Sequence, residues 1–326
     1  MASVERVQYR SLRSDDQPAV VSFLRECRYD SDETFWRWIN QECPHGQALV
    51  ELALVHDRVV GHYGVLPRPV WMGGKVVRAG LAIHAAVHPQ FRGLVIFREL
   101  LDRMIQRCRR ENIRFLYGFP RRDVWLMYFK LFDWKPMGEL VTLELPLTGR
   151  PWKGGDDPTI RFRERSIFDE RYQPFSGSEL LRGVHHVVKD EAFARWRYEN
   201  HPRVQYPQME LLGADGELLG YLVLKLYEKE ARRYGHWVDV NLKPHALSRF
   251  PALAKAAMKR FVQQKVDIAS CWMLKNSPLF AVLQRMGFQP TGFTTYVGYR
   301  LVDPSFPTGE LGLEKWHMVM GDSDAF

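Results

Sequence analysis

The chain is poor in everything that marks a disulfide scaffold, a metal knuckle or a membrane span. Its 326 residues hold four cysteines, Cys27, Cys43, Cys108 and Cys271, widely scattered and with no Cys-x-x-Cys pair. They read as reduced, structural thiols of a cytoplasmic protein. No stretch approaches the ~18 uninterrupted apolar residues that a membrane span needs. The first residues, MASVERVQYRSLRSDD, lack the apolar centre of a signal peptide. Neither zinc-finger spacing, nor an RNP-type aromatic motif, nor a basic helical arm is present, which argues against nucleic acid as the partner. The expectation is likewise of no metal. What is present is ample core material, 46% hydrophobic and 13% aromatic residues, and a net charge of +8 spread along the chain. Such a surplus solubilises a surface, or serves an anionic ligand such as a phosphate-bearing cofactor.

The length suits roughly two domains of ~150 residues each, and the chain repeats itself. Asp32-Glu33-Thr34-Phe35-Trp36-Arg37-Trp38 returns 158 residues later as Asp190-Glu191-Ala192-Phe193-Ala194-Arg195-Trp196. Gly61 in VVGHY returns as Gly220 in LLGYL, and Pro136 in WKPMG as Pro290 in FQPTG. Three echoes in one order at nearly one spacing imply two copies of one fold.

The patterning agrees. In the first copy it predicts strands at Val7–Leu12, Leu49–Val55, Val59–Val70, Val76–Val87, Arg114–Phe119 and from Lys135 to Leu145. Helices are expected at Gln17–Cys27, at Glu33–Asn40 behind an Asp32 cap, at Ile96–Arg110 and near Val124–Phe132. The second copy follows the same order from Glu191 to Leu301. The expected organisation is a first domain over 1–148, a Gly/Pro-rich linker region over 149–178, a degenerate second domain over 179–302 and a tail over 303–326. The fold class is α/β (α+β), two tandem domains, each a mixed, splayed, mostly antiparallel sheet flanked by helices.

The segment Val87-His88-Pro89-Gln90-Phe91-Arg92-Gly93-Leu94-Val95 joins a strand to an amphipathic helix through a glycine turn. Backbone N–H groups at such a helix start favour anions, and Arg92 adds a phosphate contact. An ordinary strand–helix turn has the same outline. Here the residues carry a resemblance. Gln90-Phe91-Arg92-Gly93-Leu94-Val95 resembles the acetyl-CoA loop of the GNAT superfamily of N-acetyltransferases, with pattern [Q/R]-x-x-G-x-[G/A]. Phe35-Trp36-Arg37-Trp38, Phe115-Leu116-Tyr117-Gly118-Phe119-Pro120 and Asp133-Trp134-Lys135-Pro136-Met137-Gly138 are similar to a branch associated with surface-polysaccharide biosynthesis. So is the closing Gly321-Asp322-Ser323-Asp324. The chain departs from the pattern with Val95 for Gly or Ala, Leu94 for a basic residue, and Arg121 for Asn. The second copy has no glycine loop after Asn241-Leu242, so it reads as a non-catalytic partner that shapes the cleft.

The resemblance implies acetyl-CoA or another acyl-CoA as co-substrate and transfer to the amine of a small molecule, an amino sugar being favoured. It implicates Ala86 and Val87 in holding pantetheine, and Gln90 through Val95 in holding phosphates. Acyl transfer needs a base for the ammonium proton and an acid for the thiolate. His84 is the candidate base, because imidazole titrates near neutrality; a structural histidine in a sheet is the alternative. Tyr128 is the candidate acid, against a packed aromatic. Arg121, Asp322 and Asp324 are candidate substrate ligands. Two other readings remain: a binding or assembly module that has lost CoA, and an acyltransferase fed by an acyl carrier protein, for which the positive charge suits an acidic partner.

Overall fold

The computed structural model describes residues 7–91, 94–149, 157–176 and 184–325. In the first half β1 (Gln8–Ser11), α1 (Gln17–Glu26), α2 (Glu33–Gln41), β2 (Leu49–Val55), β3 (Arg58–Met72) and β4 (Lys75–Val87) follow one another. Then come α3 (Leu94–Arg110), β5 (Phe115–Gly118), α4 (Trp125–Leu131) and β6 (Lys135–Pro146). The second half holds β7 (Ile160–Arg163), β8 (His185–Val187), α5 (Glu191–Ala194), β9 (Gln208–Leu212), β10 (Leu218–Lys229) and β11 (Arg232–Leu242). It ends with α6 (Phe250–Gln263), β12 (Ile268–Met273), α7 (Pro278–Arg285), β13 (Gln289–Leu301) and β14 (Trp316–His317). No described helix is long and apolar enough to cross a membrane.

The repeated motif caps two helices in the same way. An Asp32 carboxylate oxygen accepts from the Phe35 N–H at 2.7 Å, and one of Asp190 from the Phe193 N–H at 2.8 Å. Each satisfies an N–H that the first helical turn leaves orphaned. α5 then continues as a π-helical turn over Arg195–Glu199. The two tryptophans of the motif meet at the centre of the molecule. Trp38 Nε1 donates to the Trp196 carbonyl at 3.0 Å, Trp196 Nε1 donates to the Trp38 carbonyl at 2.9 Å, and the rings stack 4.6 Å apart. A contact in which each partner does to the other what is done to it is the signature of a two-fold relation. Here it lies within one chain. These motifs are packing.

The sheets join. Strand order is β1-β2-β3-β4-β5-β13-β6-β12-β11-β10-β9-β7, with β8 and β14 attached beside β3. Among the described residues only β4–β5, β11–β12 and β14–β8 are parallel. Between β5 and β12 the closing strands have changed places: β13 of the second copy pairs with β5, and β6 of the first pairs with β12. They also pair with each other. The crossing buries strand edges that would otherwise be open to aggregation.

Segment 149–178 was expected to be a linker. In its described part it holds β7, which pairs with β9, and the buried rings of Phe168, Tyr172 and Phe175. Among the described residues the second copy shows no counterpart of α1 before α5, and these aromatics pack a short turn on the Tyr221 ring of β10. The tail from residue 303 also packs, with Trp316, Met318, Val319 and Met320 buried.

Candidate active site

Pairing between β4 and β5 consists of Gly80 with Leu116 and Leu81 with Tyr117. Beyond Leu81 the two strands diverge, and among the described residues no strand pairs with the peptide edge of β4 from Ala82 to Val87 on that side, which leaves it open. The same stretch carries a bulge. On the β3 side, His62 pairs with Ala86 and Gly64 with Ile83, so His84 and Ala85 together face Tyr63. His84 takes φ of 47°, a left-handed conformation uncommon for a residue with a Cβ. Its carbonyl is pinned by the His62 Nδ1–H at 2.8 Å. Burial, reinforced by the neighbouring His84, pushes the pKa of His62 down to about 3. A neutral His62 that donates from Nδ1 therefore fixes the bulge, and its Nε2 has no hydrogen-bond partner.

His84 itself is half-buried, its ring edge-on to Tyr29 with centroids 5.2 Å apart. Burial lowers its pKa to about 4. The imidazole is thus neutral at physiological pH and has an unpartnered Nδ1.

At the mouth of the splay lies a cavity of about 580 Å³. The first half contributes His84, Tyr29, Tyr128 and Arg121 to its wall, the second half His201, Arg203 and Lys225, and the tail Asp324 and Ala325. Tyr128 is set by α4, its ring edge-on to Phe97 and Trp134. Burial raises its hydroxyl pKa. Burial, then the charge of Asp324, pushes the Tyr29 hydroxyl up to about 12. Both phenols keep their protons near neutrality and are able to donate them. Burial raises the Asp324 carboxyl, while the charges of Arg197 and Arg68 pull it back. Arg203 ties the halves together across the rim through Asp30 at 3.0 Å and Asp32 at 2.5 Å.

Sequence reasoning thus chose four residues that the fold brings to one cavity: His84, Tyr128, Arg121 and Asp324. Arg121 is at the exposed rim, paired with Asp123 at 2.7 Å. Ala86 and Val87 are on the open edge of β4, across from His62 and Gly61. Gln90 is exposed and its N–H donates to His88 Nδ1, while the Phe91 N–H donates to the His88 carbonyl. Arg92 and Gly93 lie outside the described residues. Leu94 and Val95 open α3 with their side chains exposed. Asp322 does not line the cavity. The short turn at Met320–Asp322 folds its carboxylate back onto the Val319 N–H and onto Lys189 at 3.0 Å, in the buried interior.

Tyr29, His201, Arg203 and Lys225 had no sequence signal. They follow helices or sit on strands whose spacing only reports burial, and the Trp38–Trp196 contact is what brings them together. A pantetheine arm fits the open edge of β4, which offers peptide groups to an extended chain. No described cluster of three or more His, Cys, Asp or Glu has the makings of a metal site.

Residues 8–137 match the family model described as an acetyltransferase (GNAT) domain. No curated protein sequence matches the chain. Among solved structures, a GCN5-related N-acetyltransferase from Anabaena variabilis is 13% identical with a TM-score of 0.67, over 91% of this chain and 73% of that one. N-myristoyltransferase of Saccharomyces cerevisiae with bound myristoyl-CoA is 13% identical with a TM-score of 0.63, over 92% and 80%. A tandem GNAT protein from the clavulanic acid biosynthesis pathway is 16% identical with a TM-score of 0.62, over 92% of this chain and all of that one. Over residues 8–137 the chain is thus similar to the GNAT acetyltransferase domain, and along nearly all of its length it shares the fold of the tandem GNAT protein.

Proposed function

We propose that the protein is an N-acyltransferase that moves an acetyl or other acyl group from an acyl-CoA thioester to the amine of a small molecule. The observation that carries this reading is the convergence of His84, Tyr128 and Asp324 on one cavity at the open edge of β4. In this reading the site belongs to the first domain, 1–148, and the second, 179–302, supplies a wall.

Asp324 holds the acceptor ammonium, and neutral His84 takes its proton. The freed amine nitrogen bonds to the thioester carbon. The oxyanion that develops is met by backbone N–H groups on the open edge of β4. When the C–S bond breaks, Tyr128 gives its proton to the departing thiolate, with Tyr29 lining the same cavity. An amino sugar is the acceptor class to try first.

Acetyl-CoA titrated by calorimetry should bind the wild type in the micromolar range, and glucosamine with acetyl-CoA should release free thiol. Absence of acetyl-CoA binding by the wild type, with gain of binding in Val95→Gly and no thiol release from any acyl thioester, would instead make the chain a module that has lost its coenzyme.

A further inference from the structure

Eight large hydrophobic side chains stand exposed among the described residues, and four of them lie on two helices, α3 and α4. Leu94 and Val95 form the first turn of α3, with Val95 77% exposed, and Leu126 and Leu131 lie on the outer side of α4. The two helices are tied together at this point. Arg98, one turn on from Leu94, donates to the Leu131 carbonyl at 2.6 Å and lies over the Phe132 ring at 5.4 Å. The apolar residues are interleaved with Arg98, Arg122 and Lys130, none of which pairs with a carboxylate among the described residues. Of the nearby acids, Glu99 is engaged by Arg103, Asp123 by Arg121 and Asp133 by Arg300, while Asp102 stands exposed one turn beyond Arg98. The result is an apolar, cationic collar on α3 and α4, and α4 also presents Tyr128 to the cavity on its other side.

A diphosphate docks on a helix N-terminus by close approach of backbone, and that requires small side chains there. Leu94 and Val95 are the opposite. An exposed β-branched residue at that turn shields the amides and offers a hydrophobic contact. A donor without a diphosphate loses nothing by this. Contact surfaces with an apolar centre and a charged rim fit a protein partner of opposite charge.

We propose that the collar formed by Leu94, Val95, Leu126 and Leu131 with Arg98, Arg122 and Lys130 is a docking surface for an acidic acyl carrier protein. The carrier presents its acyl group on a phosphopantetheine arm threaded along the open edge of β4. This rests on the acyltransferase reading above. The bond chemistry is unchanged: the amine nitrogen takes the acyl carbon, and the thiol stays on the carrier with the proton.

The test uses the full chain and three probes, an acetylated type II acyl carrier protein, acetyl-CoA, and vesicles of phosphatidylglycerol. Carrier binding is followed by fluorescence anisotropy. The carrier should bind at least tenfold more tightly than acetyl-CoA. Lys130→Glu with Arg122→Glu should weaken it at least tenfold and leave acetyl-CoA within twofold. Both side chains are exposed, and an unchanged melting temperature confirms folding. Leu131→Ala is the second variant and should weaken only the carrier. Val95→Gly should tighten acetyl-CoA without helping the carrier. Acetyl-CoA binding at least as tightly as the carrier overturns this proposal and leaves the acyltransferase reading standing. Vesicle binding that the charge reversals abolish, without carrier binding, also overturns it. Failure of both thioesters to bind overturns both readings.

Discussion

The two halves of this molecule begin from the same pair of diverging parallel strands and end differently. In the first, the edge of β4 beyond Leu81 borders a cavity. In the second, pairing of β11 with β12 ends at Trp237 and Cys271, and the tail lies along the edge that follows. His317 Nε2 donates to the Val240 carbonyl at 3.0 Å, and Gly321 packs so closely against Val238 and Tyr198 that no Cβ fits. Val87 pairs with Gly61, and Leu242 with Gly220, so the strand ends correspond. Three residues before them stand His84 and Asp239. Asp239 is bound by Lys189 at 2.9 Å, Tyr198 at 2.7 Å and Asn241 at 2.8 Å, with Asp322 closing the group on Lys189. The same position is thus unpartnered at His84 Nδ1 and saturated at Asp239. A fold keeps its splay whether or not the gap is used. Filling it with chain turns a reaction site into a packed core.

The comparison breaks most severely if the filling is removed. Ending the chain after Lys315 should cost more than 5 kcal/mol, since Trp316, Met318, Val319 and Met320 are each buried and each such side chain is worth ~1.5–3 kcal/mol. A cooperative denaturation curve with an unchanged midpoint would show that the tail is dispensable. Next comes Lys189→Met, which strands two buried carboxylates and should cost about 3–5 kcal/mol in a urea titration. Replacing His84 should behave in the opposite way. His84→Asn tolerates the left-handed backbone, so stability should change by less than ~1 kcal/mol while kcat falls about 100-fold or more. If kcat and its pH profile survive, the assignment of the base to His84 is wrong.

The smallest effect is on pH dependence. Burial lowers His62, His201 and His236 to about 3, and His84, His186 and His317 to about 4, against an ordinary value of 6.5. A histidine with a depressed native pKa leaves the unfolded chain binding more protons between its two pKa values. Stability therefore falls as pH drops from about 6.5 toward 4, and is unaffected by these groups above 7. Each contributes ~1.4 kcal/mol per pH unit inside that window. His317→Asn should remove one such share from the slope of stability against pH. An unaltered slope would mean that His317 already titrates normally.

Local signals carried much of this architecture. Asp32 and Asp190 capped helices where their spacing from an aromatic turn put them, and β2 runs over the expected residues, Leu49–Val55. A further echo lies in buried Glu51 and Glu210, 159 residues apart and each held by arginines. A lone glutamate in an apolar run has no partner visible in sequence. β8 and β14 are two or three residues long, too short for any periodicity, and pair only because the tail returns. Of the site, His84 and Tyr128 were found by chemistry and resemblance. Asp324 was paired in expectation with Asp322, and a single turn of chain sends one to the cavity and the other to Lys189.

By itself the sequence determined that there are two copies of one fold, and where the longer helices and strands of each run. Hydrophobic spacing, caps and glycine turns are local, and a repeat preserves them. Tertiary structure alone decided that β6 and β13 exchange partners, that the tail closes the second splay, and that His201, Arg203 and Lys225 face His84 across one cavity. Those facts depend on contacts between residues more than seventy positions apart. Strand edges and buried charges accept whichever partner the whole chain delivers, and no neighbouring residue records the choice.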